Sequence, residues 1–179
     1  MRWFWIDRFT EFVSGKYARA VKSVSLSEEV VDEYTPGLTH LPASLLIEGL
    51  AQCGGLLVSQ LSDFKSRTVL AKVGTAKFHR QVYPGYTISY ETVITGMQPT
   101  GAFVDGKIML GDELVLEVDL MFAFLTDERF DKVTLFEPAA LCRMCRIMRL
   151  FEVGTYEDGR PLEVPEHMLA AEIAELSVG

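Results

Sequence analysis

The chain has 179 residues, 49% of them hydrophobic and 23% charged, enough to bury one sizeable core and too apolar for a disordered chain. A formal net charge of −8 repels phosphate backbones and argues against nucleic acid as a partner. Three cysteines, Cys53, Cys142 and Cys145, are too few and too odd in number for a disulfide framework, so a reducing cytoplasm is the expected location.

The first residues, Met1 to Arg8, are apolar but broken by Asp7 and Arg8, unlike a signal peptide. No uncharged run approaches the length that spans a bilayer, so a soluble protein is expected. Two short strand-like runs follow on either side of Ser14-Gly15. The second, Tyr17 to Leu26, alternates, with Tyr17, Arg19, Val21, Ser23 and Ser25 against Ala18, Ala20, Lys22, Val24 and Leu26, the period of a half-buried strand. A loop from Asp32 is punctuated by Pro36, Gly37 and Pro42. Pro42 then opens a helix expected to run to about Leu61. It is apolar on nearly every side, as a buried helix is. Gly49, Gly54 and Gly55 weaken it by roughly 1 kcal/mol each relative to alanine, which implies close approach of sheet backbone or of a partner subunit.

From Thr68 to Leu125 the pattern predicts strands near 68–79, 86–97, 101–110 and 113–124. Val82-Tyr-Pro-Gly-Tyr is the clearest turn, Gly111-Asp112 marks a hairpin, and Asp105-Gly106 predicts a bulge or kink. One long buried helix followed by long antiparallel strands suggests a sheet wrapped around that helix. Beyond Asp127, Phe130, Val133, Leu135 and Phe136 form an apolar linker. Pro138 opens a second helix expected to reach Phe151, closed by Gly154, and Pro165 starts a terminal helix. Cys142 and Cys145 read as two apolar helix positions, because neither a second pair nor a nearby histidine completes a metal site. No metal is expected.

The segment Tyr34-Thr-Pro-Gly-Leu-Thr-His-Leu-Pro-Ala-Ser-Leu-Leu-Ile-Glu-Gly-Leu-Ala-Gln52 carries more specific information. It resembles the signature G-H-F-P-G-x-P-x-M-P-G-x-L-x-x-E-A-x-A-Q of the beta-hydroxyacyl-acyl-carrier-protein dehydratases. Pro36, Gly37, Pro42, Leu45, Glu48, Ala51 and Gln52 fall in register without a gap. Ala76-Lys-Phe-His-Arg-Gln-Val-Tyr-Pro-Gly85 is similar to the family's A-K-F-R-R-P-V-x-P-G, and Asp7-Arg8 matches a D-R near its start.

The resemblance implies an α+β hotdog fold over residues 1–127, a long helix wrapped by an antiparallel sheet, with a C-terminal helical extension over 128–179. It implies dehydration of a (3R)-3-hydroxyacyl chain on acyl carrier protein to the trans-2-enoyl form, without cofactor. It also implies a homodimer or a trimer of dimers, each site built from two subunits. Such a reaction needs a group that takes the alpha proton and a group that gives one to the departing hydroxide. The enolate-like oxygen needs donors aimed at it, which a helix N-terminus supplies.

In the family a histidine is the base and the helix carboxylate is the acid. Glu48 matches the carboxylate, and Ala43, in place of a glycine, still offers the backbone N–H for the thioester carbonyl. Pro36, Gly37 and Gln52 complete the substrate-binding set. The histidine position holds Tyr34, with a reference pKa near 10 and so a poor base at neutral pH. His40, six residues on in the same loop, is the candidate to take over, with Tyr34 as a donor. His79 is expected to face solvent or a neighbouring strand.

Arg143, Arg146 and Arg149, spaced three apart, read as one stripe of the second helix opposite an apolar face of Leu141, Met144, Ile147, Met148 and Phe151. This stripe is either a solvated edge or a docking patch for an acidic carrier protein. Two competing readings remain. One is a non-catalytic hotdog that binds acyl carrier protein or acyl thioesters, and the other is an isomerase acting on the same thioester.

Overall fold

Side-chain alternation opens the fold. In β1 (Arg8–Val13) a register shift between Phe9 and Glu11 brings Phe9 and Phe12, three apart, to the inside, whereas in β2 (Tyr17–Ser23) alternate residues turn inward, with Ala18 and Ala20 almost wholly buried. The same period carries Lys22 inside. Its Nζ lies 2.9 Å from Glu28 and 5.0 Å from the Trp5 ring centre. The computed structural model describes residues 4–28, 37, 39–126 and 135–177.

The long helix α1 (Ala43–Gln60) is followed by β3 (Thr68–Phe78), β4 (Thr87–Gln98), β5 (Gly101–Leu110) and β6 (Glu113–Phe124). The strands form one sheet in the order β3-β6-β5-β4-β2-β1, antiparallel throughout, curved around α1. A short parallel strand, β7 (Gly154–Thr155), is added beyond β1. The expected elements therefore form, and the fold is the α+β hotdog.

The glycines of α1 admit side chains of the sheet, not its backbone as expected. A Cβ on Gly49 would lie 2.3 Å from the Tyr90 hydroxyl, and one on Gly54 or Gly55 would lie 3.3 Å from the Phe122 ring. Large rings from β4 and β6 thus fill the space that larger helix residues would occupy. The Asp105-Gly106 kink is absent, because both residues pair in regular register with β4 and β6. Gly106 instead makes room for Leu50, whose methyl carbons would sit 3.2 Å from an added Cβ. The register shifts fall elsewhere, between Ile94 and Gly96 and between Ile108 and Met109.

The second helix is shorter than expected. α2 (Pro138–Ile147) stops where Arg149 adopts a left-handed conformation, φ +59°, and α3 (Leu150–Val153) follows. The cause is a contact with the sheet edge, in which Phe9 N donates to Met148 O at 2.8 Å. Ile147, expected on the apolar face, is 57% exposed. The buried side is Leu141, Cys142, Met144, Cys145 and Met148, so both thiols of the C-x-x-C face inward. Burial pushes the Cys145 thiol up to about 12. The terminal helix α4 (Glu166–Leu176) starts after Pro165 as expected and packs on α2. Among the described residues, no helix is long and apolar enough to cross a membrane.

Candidate active site

Glu48 stands half-buried in the second turn of α1, on the side that faces away from Tyr90. Gln52, one turn on, donates from Nε2 to Glu48 Oε1 at 3.0 Å, and Gln52 Oε1 accepts from Trp5 N at 2.9 Å. The amide is thereby oriented by the backbone of the N-terminal segment, and it orients the carboxylate in turn. Glu48 and Gln52 line one part of a cavity of about 330 Å³. The other walls are mostly apolar, with Phe4, Leu70, Phe122, Met144 and Met148 prominent. A carboxyl group beside an apolar chamber is an arrangement that suits a proton donor.

The start of α1 faces a different cavity, also about 330 Å³, lined by His40, Leu41, Ala43, Phe78, His79 and Arg80 among others. Pro42 places no side-chain cap on the helix, so the first amides keep donors without intrahelical partners. Leu45 N and Leu46 N turn back to Pro42 O at 3.0 and 3.2 Å, which leaves Ala43 N and Ser44 N ahead of them. Both of these residues are exposed. The His40 loop is fixed to the β3–β4 turn by Leu41 N donating to Val82 O at 2.8 Å. The His40 ring meets Tyr83 edge-on at 6.0 Å, and Tyr83 meets Tyr86 in the same way at 6.3 Å.

His79, expected to face solvent or a neighbouring strand, joins His40 in this cavity, with Nε2 3.7 Å from Glu117 of β6. Arg80 beside it pairs with Glu113. The meeting of His40 and His79 depends on the Leu41–Val82 contact, which has no local signature in the sequence. Among the described residues, no residue lines both the Glu48 and the His40 cavities.

Tyr34 and Pro36 lie outside the described residues. Gly37 is described, exposed, with φ +81°, a conformation that glycine adopts without steric cost. The arginine stripe is not continuous. Arg143 and Arg146 lie on α2, where Arg143 pairs with Glu175 and Arg146 pairs with Glu172 at 3.2 Å, both carboxylates belonging to α4. Arg149 is beyond the helix and pairs with Glu152 at 2.7 Å. Cys53, on the sheet-facing side of α1, touches Thr92 at 3.3 Å, and burial pushes its thiol up to about 12. A thiol so disposed is not a nucleophile at neutral pH. Among the described residues, no cluster of three or more ligating side chains suits a metal ion.

Residues 3–119 match the FabA-like domain family. The chain is 31% identical over 121 residues to the 3-hydroxyacyl-[acyl-carrier-protein] dehydratase FabZ of Clostridioides difficile, covering 67% of this chain and 85% of that protein. It is 34% identical over 121 residues to the protein of the same name from Symbiobacterium thermophilum, with the same coverage of each. Among solved structures, the dehydratase heterocomplex ApeI:P from Xenorhabdus doucetiae is similar in fold. Its TM-score is 0.58 at 15% identity, over 69% of this chain and 84% of that one.

Proposed function

The chain belongs to the FabA-like domain family, and on that premise we propose that it dehydrates a (3R)-3-hydroxyacyl chain carried on acyl carrier protein to the trans-2-enoyl form. The observation that carries this reading is the Glu48 carboxyl group held by Gln52 at the polar end of an apolar cavity. In the proposed reaction His40 takes the proton from C2 of the acyl chain. Electron density moves toward the thioester oxygen, which accepts a hydrogen bond from Ala43 N–H. The C3–O bond breaks, and Glu48 gives its proton to the departing hydroxide, which leaves as water. Proton transfer from His40 back to Glu48 through solvent closes the cycle. Tyr34 and Gln52 act as hydrogen-bonding partners, and Pro36 and Gly37 belong to the substrate-binding set.

The two halves of this site line separate cavities of one chain, which supports a homodimer in which each copy's Glu48 serves its partner's His40 and Ala43. The edge strand β3, with Leu70 and Phe78 exposed at 38% and 46%, is the surface available for sheet-to-sheet pairing. A trimer of dimers is compatible with the same contact. Docking of an acidic carrier on Arg143 and Arg146 would compete with Glu175 and Glu172 of α4. That competition makes the patch salt-sensitive.

The test is to offer the purified protein 3-hydroxyacyl and enoyl chains on acyl carrier protein, and to measure its mass by light scattering. Turnover in both directions and a mass of at least twice 20.0 kDa are expected. Tyr34→His should raise the rate or leave it unchanged. If only the Tyr34→His variant turns over, the natural protein is an acyl-binding module, the competing reading.

A further inference from the structure

The Glu48 cavity does not end at α1. Leu56, Ser59, Thr68 and Phe136 line it and also line a second cavity, of about 540 Å³, which continues past Phe64 and Leu141. The two spaces therefore run in series. Glu48, Gln52, Leu56 and Ser59 are spaced four, four and three apart, so they form one stripe along the outer face of α1. At 1.5 Å per residue that stripe is about 16 Å long. One wall is the sheet, through Leu70 and Phe122. The opposite wall is Phe136, Met144 and Met148. These three residues lie beyond residues 3–119, the part of the chain that matches the family. Met144 and Met148 are 8% and 2% exposed, unbranched and adaptable in shape.

We propose that residues 136–148 form the length-setting wall of an acyl channel, with Met144 and Met148 as its gauge, and that the protein selects long acyl chains over short ones. This inference rests on the proposed reading of Glu48 as the reacting end. The chain enters with its thioester at Glu48 and Gln52, runs between Phe122 and the two methionines, and passes the waist at Leu56 and Phe136 into the second cavity. Burial of each methylene along such a path favours binding by about fourfold. Selection for length therefore follows from how much of the path stays open. A short chain leaves the channel beyond Met148 unused.

The decisive experiment compares kcat/KM for 3-hydroxybutanoyl, 3-hydroxydodecanoyl and 3-hydroxyhexadecanoyl chains on acyl carrier protein. The wild type should favour hexadecanoyl over butanoyl by at least 100-fold. Met144→Trp and Met148→Trp, which fill the channel, should each lower that long-to-short ratio at least tenfold. Met148→Leu, which conserves volume, should keep the ratio. A wild-type preference for butanoyl, or Trp variants in which both lengths fall in parallel, would overturn the proposal.

Calorimetry with butanoyl-coenzyme A and hexadecanoyl-coenzyme A provides a readout independent of turnover. Hexadecanoyl-coenzyme A should bind at least tenfold tighter. Phe136→Ser, at a position 57% exposed and so dispensable to the core, should reduce that difference severalfold. Equal affinity of the two probes refutes the channel. Tight hexadecanoyl binding without turnover of any substrate refutes the dehydration reading and leaves the channel standing.

Discussion

The two halves of the candidate site are built from opposite kinds of structure. The Glu48 half rests on α1, on the sheet beneath it and on a backbone-anchored amide, Gln52, so its geometry follows from long-range packing. The other half joins Ala43, the first residue of the same helix, to His40 on the loop before it, which the Leu41–Val82 backbone hydrogen bond and a chain of ring contacts tie to a turn. The first half is a carboxyl group fixed beside an apolar chamber. The second is an exposed helix start whose first amides have no intrahelical partners. Glu48 and Gln52, which the sequence motif had singled out together, both belong to the scaffolded side.

The contrast is sharpest if the scaffolded half carries the indispensable group. Glu48→Gln should lower kcat by about 10²–10⁴-fold with the circular dichroism spectrum unchanged, since an amide cannot supply the proton. Retention of most of the rate would remove Glu48 from the chemistry and erase the distinction. Gly49→Ala should next test the scaffold itself. Its Cβ would meet the Tyr90 ring, and overpacking of this kind costs about 1–3 kcal/mol, read as a lower denaturation midpoint. His40→Ala should reduce kcat by roughly tenfold or more with little loss of stability, because His40 itself is only half-buried. An unchanged rate would move the base to His79, which shares the cavity.

The smallest effect concerns Tyr90, whose hydroxyl is buried without a hydrogen-bond partner among the described residues. Burial also pushes its ionisation above the ordinary tyrosine range. Tyr90→Phe should be neutral or stabilising by up to about 1 kcal/mol, since no bond is lost. A clear destabilisation would mean that the hydroxyl has a partner in the working assembly.

These outcomes bear on what a sequence discloses. Period-two alternation and turn residues placed β1 and β3 to β6 within a residue or so, because each rule is local, whereas the second strand, expected to run to Leu26, ends at Ser23. Glu48 was singled out by its register in a long motif, and the structure sets it beside Gln52 on a mostly apolar cavity. The link from Trp5 through Gln52 to Glu48 was not, since it joins residues 47 apart. Asp105-Gly106 misled because a glycine in a strand admits two causes. Here the cause was a large neighbour across the layer, Leu50, and not a bulge. The second helix was expected to reach Phe151 because its apolar spacing continues that far. It ends sooner because Met148 gives its carbonyl to Phe9, a residue at the other end of the chain. Arg149 consequently left the stripe in which spacing alone had placed it.

The pairing of β7 with β1 also has a meaning in time. β1 leaves the ribosome well before β7, since Gly154, which pairs with Phe12, follows 142 residues later. At about 5–20 residues per second the gap is on the order of ten seconds or more. Throughout it the outer edge of β1 has no strand to pair with, and an open edge invites another chain. Once β7 arrives, with Met148 alongside, a later segment caps an earlier one. A nascent chain that stalls after β6 would present that edge to its neighbours on the same message, so correct assembly of this protein depends on translation finishing promptly.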